Sequence, residues 1–464
     1  MNTQKIHFIG IKGVGMTALA ILALEKGYEV TGSDVEDTFV TDIALEKTGI
    51  VVTSFDAKNL QNKPDIVVLS AAYNKDNIEV KEARKKRLNI KAYSEILALF
   101  SSESQVIAVS GIHGKTTTTA LISFLLTKAN LNPSYVIGSG EIADLPASGH
   151  LGSGDYFVLE ADEYRKSPDD NNSKFFDLNP QIEIITSIEM DHPDMFLTDE
   201  KVYEAFYKFA CRIPRKGFIV LCLDYPKAKK LLRSLADRNF ETYGFSEDVA
   251  WQIIDYLESV DSTSFSLINE GKNIGPFVIK IPGEGNVLNA TAAVIVALKL
   301  GIQEKSIIKY LAEFQGVKRR FEKIGQFNDI TVIDDYAHHP HSVALTLEAV
   351  KKRFPDAKIW CIFQPHTYSR TKELLSSFAT AFNCADKVII TDIYASAREK
   401  EATITAEDLT QAIHINQKQV KYVSSWDKIT QELIDNVGGK TVIITMGAGD
   451  IYKLGQNILK ELKK

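Results

Sequence analysis

At 464 residues the chain is too long for one ordinary hydrophobic core, and length alone suggests about three domains. It is 45% hydrophobic and 25% charged with a net charge of -6, an ordinary soluble composition with no basic footprint for general nucleic-acid binding. The four cysteines show no metal-ligand spacing, no run of about eighteen apolar residues offers a membrane span, and MNTQKIHFIGIKGVGM enters a strand directly, so the cytoplasm is expected.

In chain order, Lys5–Ile9 reads as a strand, residues 10–15 as a glycine turn and 16–26 as a helix ending at Gly27. A second strand at 28–31 is stopped by Gly32-Ser33-Asp34, and the apolar run Ile66–Leu69 centres another. A fresh start follows the polar stretch Ser101-Ser102-Glu103-Ser104. There the strand Gln105–Ser110 runs into Gly111-Ile112-His113-Gly114-Lys115-Thr116 and then a helix to about Lys128. Further strands are expected at Tyr156–Glu160, 182–186 and 217–223, an antiparallel portion over 251–281, and a helix from after Asn286 to near Gly301. A third start follows Phe314-Gln315-Gly316-Val317, with strands at 330–334, 359–363, 388–391 and Thr441–Met446. Short apolar runs alternating with amphipathic stretches mark βαβ units and mostly parallel sheets. The expected fold class is α/β, in domains spanning 1–102, 103–316 and 317–464.

Residues 111–119, GIHGKTTTT, are the most informative. Phosphate is best held by successive backbone N–H groups in a glycine turn at a helix N-terminus, where the helix dipole also favours negative charge. Lys115 is expected to reach the terminal phosphates of ATP and the Thr116 hydroxyl to coordinate Mg2+. Val109 stands where the full phosphate-loop pattern has its first glycine, so the assignment rests on the strand before, the helix after and the threonine run. The earlier turn, Gly10-Ile11-Lys12-Gly13-Val14-Gly15, also joins a strand to a helix and suits a nucleotide diphosphate. Asp34 lies near the spacing where an acid meets a ribose hydroxyl. The order G-x-x-G-x-G rather than G-x-G-x-x-G argues for a diphosphate other than NAD.

Downstream, the strand Tyr156–Glu160 ends among Glu160, Asp162 and Glu163, where a Mg2+ ligand belongs beside a phosphate loop. Residues 182–188 lead into Glu189-Met190-Asp191-His192-Pro193, which delivers His192 either to a second metal position or to the substrate. In the last third, Asp334-Asp335-Tyr336-Ala337-His338-His339-Pro340 and Phe363-Gln364-Pro365-His366-Thr367-Tyr368-Ser369-Arg370-Thr371 each follow a strand. Tyr336 suits stacking on a base and Arg370 a bidentate grip on a carboxylate. The paired histidines lack a third ligand at zinc spacing.

These segments, in order along nearly the whole chain, resemble the Mur ligase family. The resemblance is carried by GIKGVGM (10–16), SGIHGKTTTT (110–119), EADEY (160–164), EMDHPD (189–194), GEGNVLNATAA (283–293), GVKRRFE (316–322), DDYAHHP (334–340) and FQPHTYSRT (363–371). It implies a Rossmann-like domain for a UDP-sugar, a central phosphate-loop ATPase and a C-terminal Rossmann-like domain for an amino acid. It implies ATP-dependent ligation of L-alanine to the lactyl carboxylate of UDP-N-acetylmuramate through an acyl phosphate, in peptidoglycan precursor synthesis. ATP and two Mg2+ sites are implied, with no nucleic-acid or membrane partner, in a monomer or dimer.

Residue by residue, the resemblance assigns Gly10, Gly13, Val14, Gly15, Met16, Asp34 and Ser70 to the UDP-sugar. Gly111, His113, Gly114, Lys115, Thr116 and Thr117 go to the ATP phosphates, and Asn286 and Asn289 to adenine. Arg320 contacts phosphate, while Asp335 and Tyr336 close over ATP. Thr116 and Glu160 hold one Mg2+, His192 the second, and His366 and Arg370 line the amino-acid pocket. Lys115, His192, Arg320 and His366 are the implied catalytic set, with His192 and His366 both open as the base for the amine. Three departures stand out: Gly285 where a histidine is common beside adenine, Thr367 where some members carry arginine, and a longer segment at 165–177.

Rival readings are weaker. A family member joining a tripeptide needs a larger amine pocket, and PHTYSRT resembles the alanine-adding form. A nucleotide-binding oxidoreductase built on residues 10–15 and Asp34 leaves 111–119 unexplained. A non-catalytic ATP-binding regulator would have no use for two filled metal-ligand positions.

Overall fold

Three main sheets organise the chain in the computed structural model, which describes residues 3–395, 399 and 402–464. The first has five parallel strands in the order Val51–Thr53, Glu29–Ser33, Lys5–Ile9, Ile66–Leu69, Ile90–Ala92. The second has ten strands, and Gln105–Ser110 lies parallel between Ile182–Ile185 and Tyr156–Glu160. It continues through Phe218–Cys222 and Phe240–Gly244 into Trp251–Glu258, Thr263–Asn269 and Lys272–Ile279, which form the expected antiparallel portion. The third, of six strands, sets Thr441–Met446 between Ile330–Asp335 and Lys358–Phe363, with Glu322–Phe327 antiparallel at one edge. This is the three-part α/β architecture that the alternating pattern implies. Among the described residues no helix is long and apolar enough to cross a membrane.

Sequence reading misses the three-residue edge strands Val51–Thr53, Ile90–Ala92 and Val420–Tyr422, which are too short to show a period. It also places helix ends late by one to three residues, as at Val14–Glu25 and Glu284–Lys299.

The helix after the phosphate turn, Lys115–Lys128, is buried on every side from Thr116 to Leu126, because it lies between the sheet and the equally buried helix Glu284–Lys299. A threonine-rich helix tolerates that burial because its hydroxyls bond back one turn. Thr119, Ser123 and Thr127 each donate to the carbonyl four residues earlier, at 2.8 Å. The threonine run therefore serves packing as well as chemistry. Apolar side chains of the first sheet and the near side of the second form one continuous core, so the glycine turn and the phosphate turn stand on a shared support.

The longer segment at 165–177 forms the hairpin Arg165–Ser167/Asp170–Ser173 and a 3-10 turn at Lys174–Asp177. It is a contact between the first two parts. Ser94 donates to Asp177 at 2.6 Å, Lys166 reaches Glu95 at 3.7 Å, and Arg84 meets Asp169 at 3.4 Å.

Directly beneath the phosphate turn, the fully buried Glu183 accepts a hydrogen bond from Ser110 Oγ at 2.9 Å, and its second oxygen has no partner. Burial pushes its carboxyl up to about 8. A carboxyl whose folded pKa is raised contributes stability that is complete below its unfolded value and is lost as pH rises through the folded one. Glu183→Gln is therefore expected to be indistinguishable from the parent near pH 4 and progressively more heat-stable than it from about pH 4.5 to 8. Thermal melts of both proteins across that range check it; parallel melting curves would show that Glu183 does not titrate with folding.

Candidate active site at the phosphate turn

The turn itself explains its two glycines. Gly111 and Gly114 have φ of 127° and 82°, and a Cβ at either would lie 2.1 Å from Thr186 Oγ1 or from Asn289 Oδ1. Ile112 N and His113 N both donate to Ser187 Oγ, at 3.1 and 2.9 Å, and the Thr186 hydroxyl donates to the His113 carbonyl. The strand end at 186–187 thus fixes the turn from below, a role the sequence reading did not assign. Thr117 is buried in the first turn of the helix.

Lys115 Nζ donates to Gly111 O at 2.5 Å and to Glu163 Oε2 at 2.8 Å. Burial alone would lower its pKa, but Glu163, Asp162 and Glu160 together raise it, so the ammonium stays charged. Thr116 Oγ1 donates to Glu160 Oε2 at 3.2 Å, and Glu160 Oε1 accepts from Gly138 N at 2.6 Å. Burial raises the Glu160 carboxyl against these bonds and against Lys115 and Arg320. Asp162, Glu163 and His192 each present a ligand atom within 4.8 Å of the others. Asp162 and Glu163 thus join His192 at this position, beside the Thr116–Glu160 pair that the sequence singles out.

The third part of the chain reaches into the same cleft. Arg320 Nη2 donates to Thr116 Oγ1 at 3.3 Å, and its guanidinium lies 4.5 Å from the ring centre of Tyr336. Asp335 is buried and accepts from Phe321 N and Ala337 N, both at 2.7 Å. Arg370 and Asp191, with side chains 5% and 6% exposed, pair at 2.8 Å, while Arg370 Nη1 lies 3.1 Å from His366 Nδ1. Burial would raise the Asp191 carboxyl, but Arg370 and His192 hold it well below the usual carboxylate range. His113 bridges the same gap: Nδ1 meets Ser342 Oγ at 3.0 Å and Nε2 lies 2.9 Å from Glu189, an ion contact without hydrogen-bond alignment. His339, pushed down to about 4 by burial, places Nε2 3.1 Å from the Met190 carbonyl.

Four non-glycine residues around this cleft have left-handed backbones: His192 (φ 54°), Arg319 (63°), Phe321 (49°) and Thr367 (68°). Such conformations cost on the order of 1–3 kcal/mol each and persist where the surroundings over-determine them; the β-branched Thr367 is the most unfavourable. These four stand next to, or within two residues of, side chains of the cleft, among eleven such residues described in the chain.

On the nearby helix, Asn289 is buried against Gly114 and accepts from Thr118 Oγ1 at 3.2 Å, while Asn286 Nδ2 donates to Pro282 O at 2.7 Å. Nothing lies within 4 Å of where a Gly285 side chain would begin. In the first sheet, Val14 and Gly15 open the helix Val14–Glu25, whose Met16 is buried, and Gly13 is its cap. Asp34 braces this turn, accepting from Lys12 N and the Tyr73 hydroxyl, both at 2.7 Å. Ser70 and Tyr73 lean on Gly10, where a Cβ would lie 2.8 and 2.6 Å from them.

The structure therefore unites Lys115, Thr116, Glu160, His192 and Arg320 in one cleft, with Arg370 and His366 joined to it through Asp191. Glu163 is legible in the sequence as one of three carboxylates at a strand end and Asp191 as part of its acidic segment, but the individual role of neither is, nor that of Ser187, which gives no signal.

Three family models match the chain in order. The Mur ligase family catalytic domain matches residues 5–105, the Mur ligase middle domain 109–297 and the Mur ligase glutamate ligase domain 319–449. A UDP-N-acetylmuramate–L-alanine ligase of Caldanaerobacter subterraneus subsp. tengcongensis is 38% identical over 463 residues, covering 99% of this chain and 98% of the relative. The crystal structure of a UDP-N-acetylmuramate–alanine ligase from Thermotoga maritima superposes with a TM-score of 0.83 at 28% identity, over 99% of both chains. A murein peptide ligase from Psychrobacter arcticus gives 0.76 at 26% identity, over 99% of this chain and 98% of that one.

Proposed function

The chain belongs to the Mur ligase family, and from that membership we propose that it joins L-alanine to the lactyl carboxylate of UDP-N-acetylmuramate while ATP becomes ADP and phosphate. The observation that carries the reading is the meeting of Arg320 from the third part with Thr116 of the phosphate turn, at 3.3 Å. That contact sets an ATP-phosphate cradle against the Arg370–His366 pocket.

A carboxylate is a poor acyl donor because its leaving group would be oxide. Transfer of the γ-phosphoryl group onto it gives an acyl phosphate; the amine attacks, the tetrahedral intermediate collapses, and phosphate leaves the amide behind. Little covalent protein chemistry is required, so positioning and charge stabilisation dominate. The backbone of Gly111, His113, Gly114, Thr116 and Thr117 cradles the phosphates, while Lys115 and Arg320 offset the charge that develops on the transferring group. Asn286 and Asn289 flank the adenine, and Asp335 and Tyr336 close over the nucleotide. Gly10, Gly13, Val14, Gly15, Met16 and Ser70 receive the UDP-sugar, with Asp34 bracing the turn. His366 and Arg370 take the amino acid, and His192 or His366 accepts the amine proton. Closure of the third part over the cleft excludes the water that would hydrolyse the acyl phosphate.

The donor atoms fit Mg2+. Thr116 Oγ1 and Glu160 Oε2 lie 3.2 Å apart and are hard oxygen ligands, and Asp162, Glu163 and His192 suit a second ion. Bound there, Mg2+ supplies positive charge against the phosphate oxygens. Phosphate release is expected to require a divalent cation and the sugar carboxylate together. Chelation should abolish it and added Mg2+ restore it, and an analogue with that carboxylate reduced to an alcohol should give neither amide nor ADP. Rapid ADP formation with the alcohol analogue would contradict the acyl-phosphate route.

A further inference from the structure

Tyr93, which no motif above includes, opens the helix Tyr93–Ser101 in the first part of the chain. Its ring lies over Gly15, where an added Cβ would fall 3.2 Å from the hydroxyl oxygen, 3.3 Å from Cζ and 3.4 Å from Cε2. A side chain at position 15 would therefore press on the phenol. This accounts for the third glycine of the turn by a neighbour rather than by backbone conformation. Gly15 stands in the first turn of Val14–Glu25, where free amide donors and the helix dipole favour an anion.

The hydroxyl also faces the second part of the chain. Burial, reinforced by Glu160 and Asp162, holds it neutral far above ordinary pH. It is a hydrogen-bond donor, yet among the described residues it has no hydrogen-bond partner. The two carboxylates it faces are engaged elsewhere: Glu160 by Gly138 and Thr116, and Asp162 by Lys174 at 2.6 Å. A donor so placed, half-buried between a helix N-terminus and the acidic strand end beside the phosphate turn, is free to meet a substrate oxygen.

We propose that the Tyr93 hydroxyl donates a hydrogen bond to an anionic oxygen of the nucleotide sugar as that substrate crosses from the glycine turn to the phosphate turn. Tyr93 is then a substrate-contact residue that distinguishes the nucleotide sugar from ATP, and Gly15 is the residue that makes room for it. The anionic oxygen belongs either to the diphosphate or to the lactyl carboxylate, two sources on one molecule. The inference rests on the function proposed above.

Equilibrium binding to the full chain tests it, using parent and Tyr93→Phe with UDP-N-acetylmuramate, UDP-N-acetylglucosamine and ATP as separate ligands. Phenylalanine keeps the ring over Gly15 and removes only the donor. The variant is expected to bind UDP-N-acetylmuramate about tenfold more weakly, with ATP affinity and melting temperature unchanged. Equal weakening for UDP-N-acetylglucosamine, which lacks the lactyl group, assigns the bond to the diphosphate; weakening confined to UDP-N-acetylmuramate assigns it to the carboxylate. Unchanged UDP-N-acetylmuramate affinity overturns the inference, as does a parallel loss of ATP affinity and melting temperature. A parent protein that binds no UDP-N-acetylmuramate overturns the function reading, and the inference with it.

Discussion

Lys115→Ala is expected to reduce amide formation by a hundredfold to a thousandfold or more, on the order of the loss seen when one charge-stabilising donor is removed from a transition state. The variant also disturbs stability, for a reason visible in the structure. Lys115 pairs at 2.8 Å with Glu163, whose side chain is 1% exposed, so alanine leaves a buried carboxylate whose remaining ion-pair partner among the described residues is His192, at 3.5 Å. Removing one partner of a buried pair costs several times what an exposed pair is worth. The melting temperature should fall, and the double variant Lys115→Ala/Glu163→Gln should recover most of it. Turnover should not recover with it. If the double variant regained activity along with stability, Lys115 would be a structural counter-ion and the phosphate-turn assignment would fail.

Much of this was legible in the sequence because the signals are local. A strand, a glycine turn and a helix within about twenty residues announce a phosphate site wherever the rest of the chain goes. Gly111 and Gly114 stand in the turn before a helix where the sequence puts them, because their backbone conformations leave few alternatives. Contacts made at a distance left no such trace. Asp191 and Arg370 stand 179 positions apart and Thr116 and Arg320 stand 204 apart, so only the fold pairs them. The same holds for Tyr93, whose importance comes from lying over Gly15. The segment at 165–177 could be noticed as long, but the ion pairs that make it a brace between two parts belong to the packed structure. Three-residue edge strands escaped because a period of two needs more residues to show itself.

The second large effect is expected at the amine pocket. Arg370 Nε is committed to Asp191 at 2.8 Å and Nη1 lies 3.1 Å from His366, so the guanidinium already works as a planar fork with more than one acceptor. Arg370→Lys keeps the charge beside Asp191 but cannot serve two directions at once. The Michaelis constant for alanine should rise by about tenfold to a hundredfold, and that for ATP should change little. Alaninamide, which lacks the carboxylate, should be a poor substrate of the parent and less affected by the substitution. The ratio of alanine to alaninamide efficiency in the two proteins is the quantity to measure. An unchanged ratio would mean that Arg370 serves Asp191 alone and that the amino-acid carboxylate is read elsewhere.

The proposed reaction is tested most directly with purified protein, Mg2+, ATP and UDP-N-acetylmuramate, offered single amino acids and a tripeptide separately, with phosphate release and product mass followed together. The predicted result is one phosphate per amide, with L-alanine giving a product heavier than the sugar nucleotide by alanine less water. Amide formation with the tripeptide but not with alanine, or phosphate release without any amide, would contradict it.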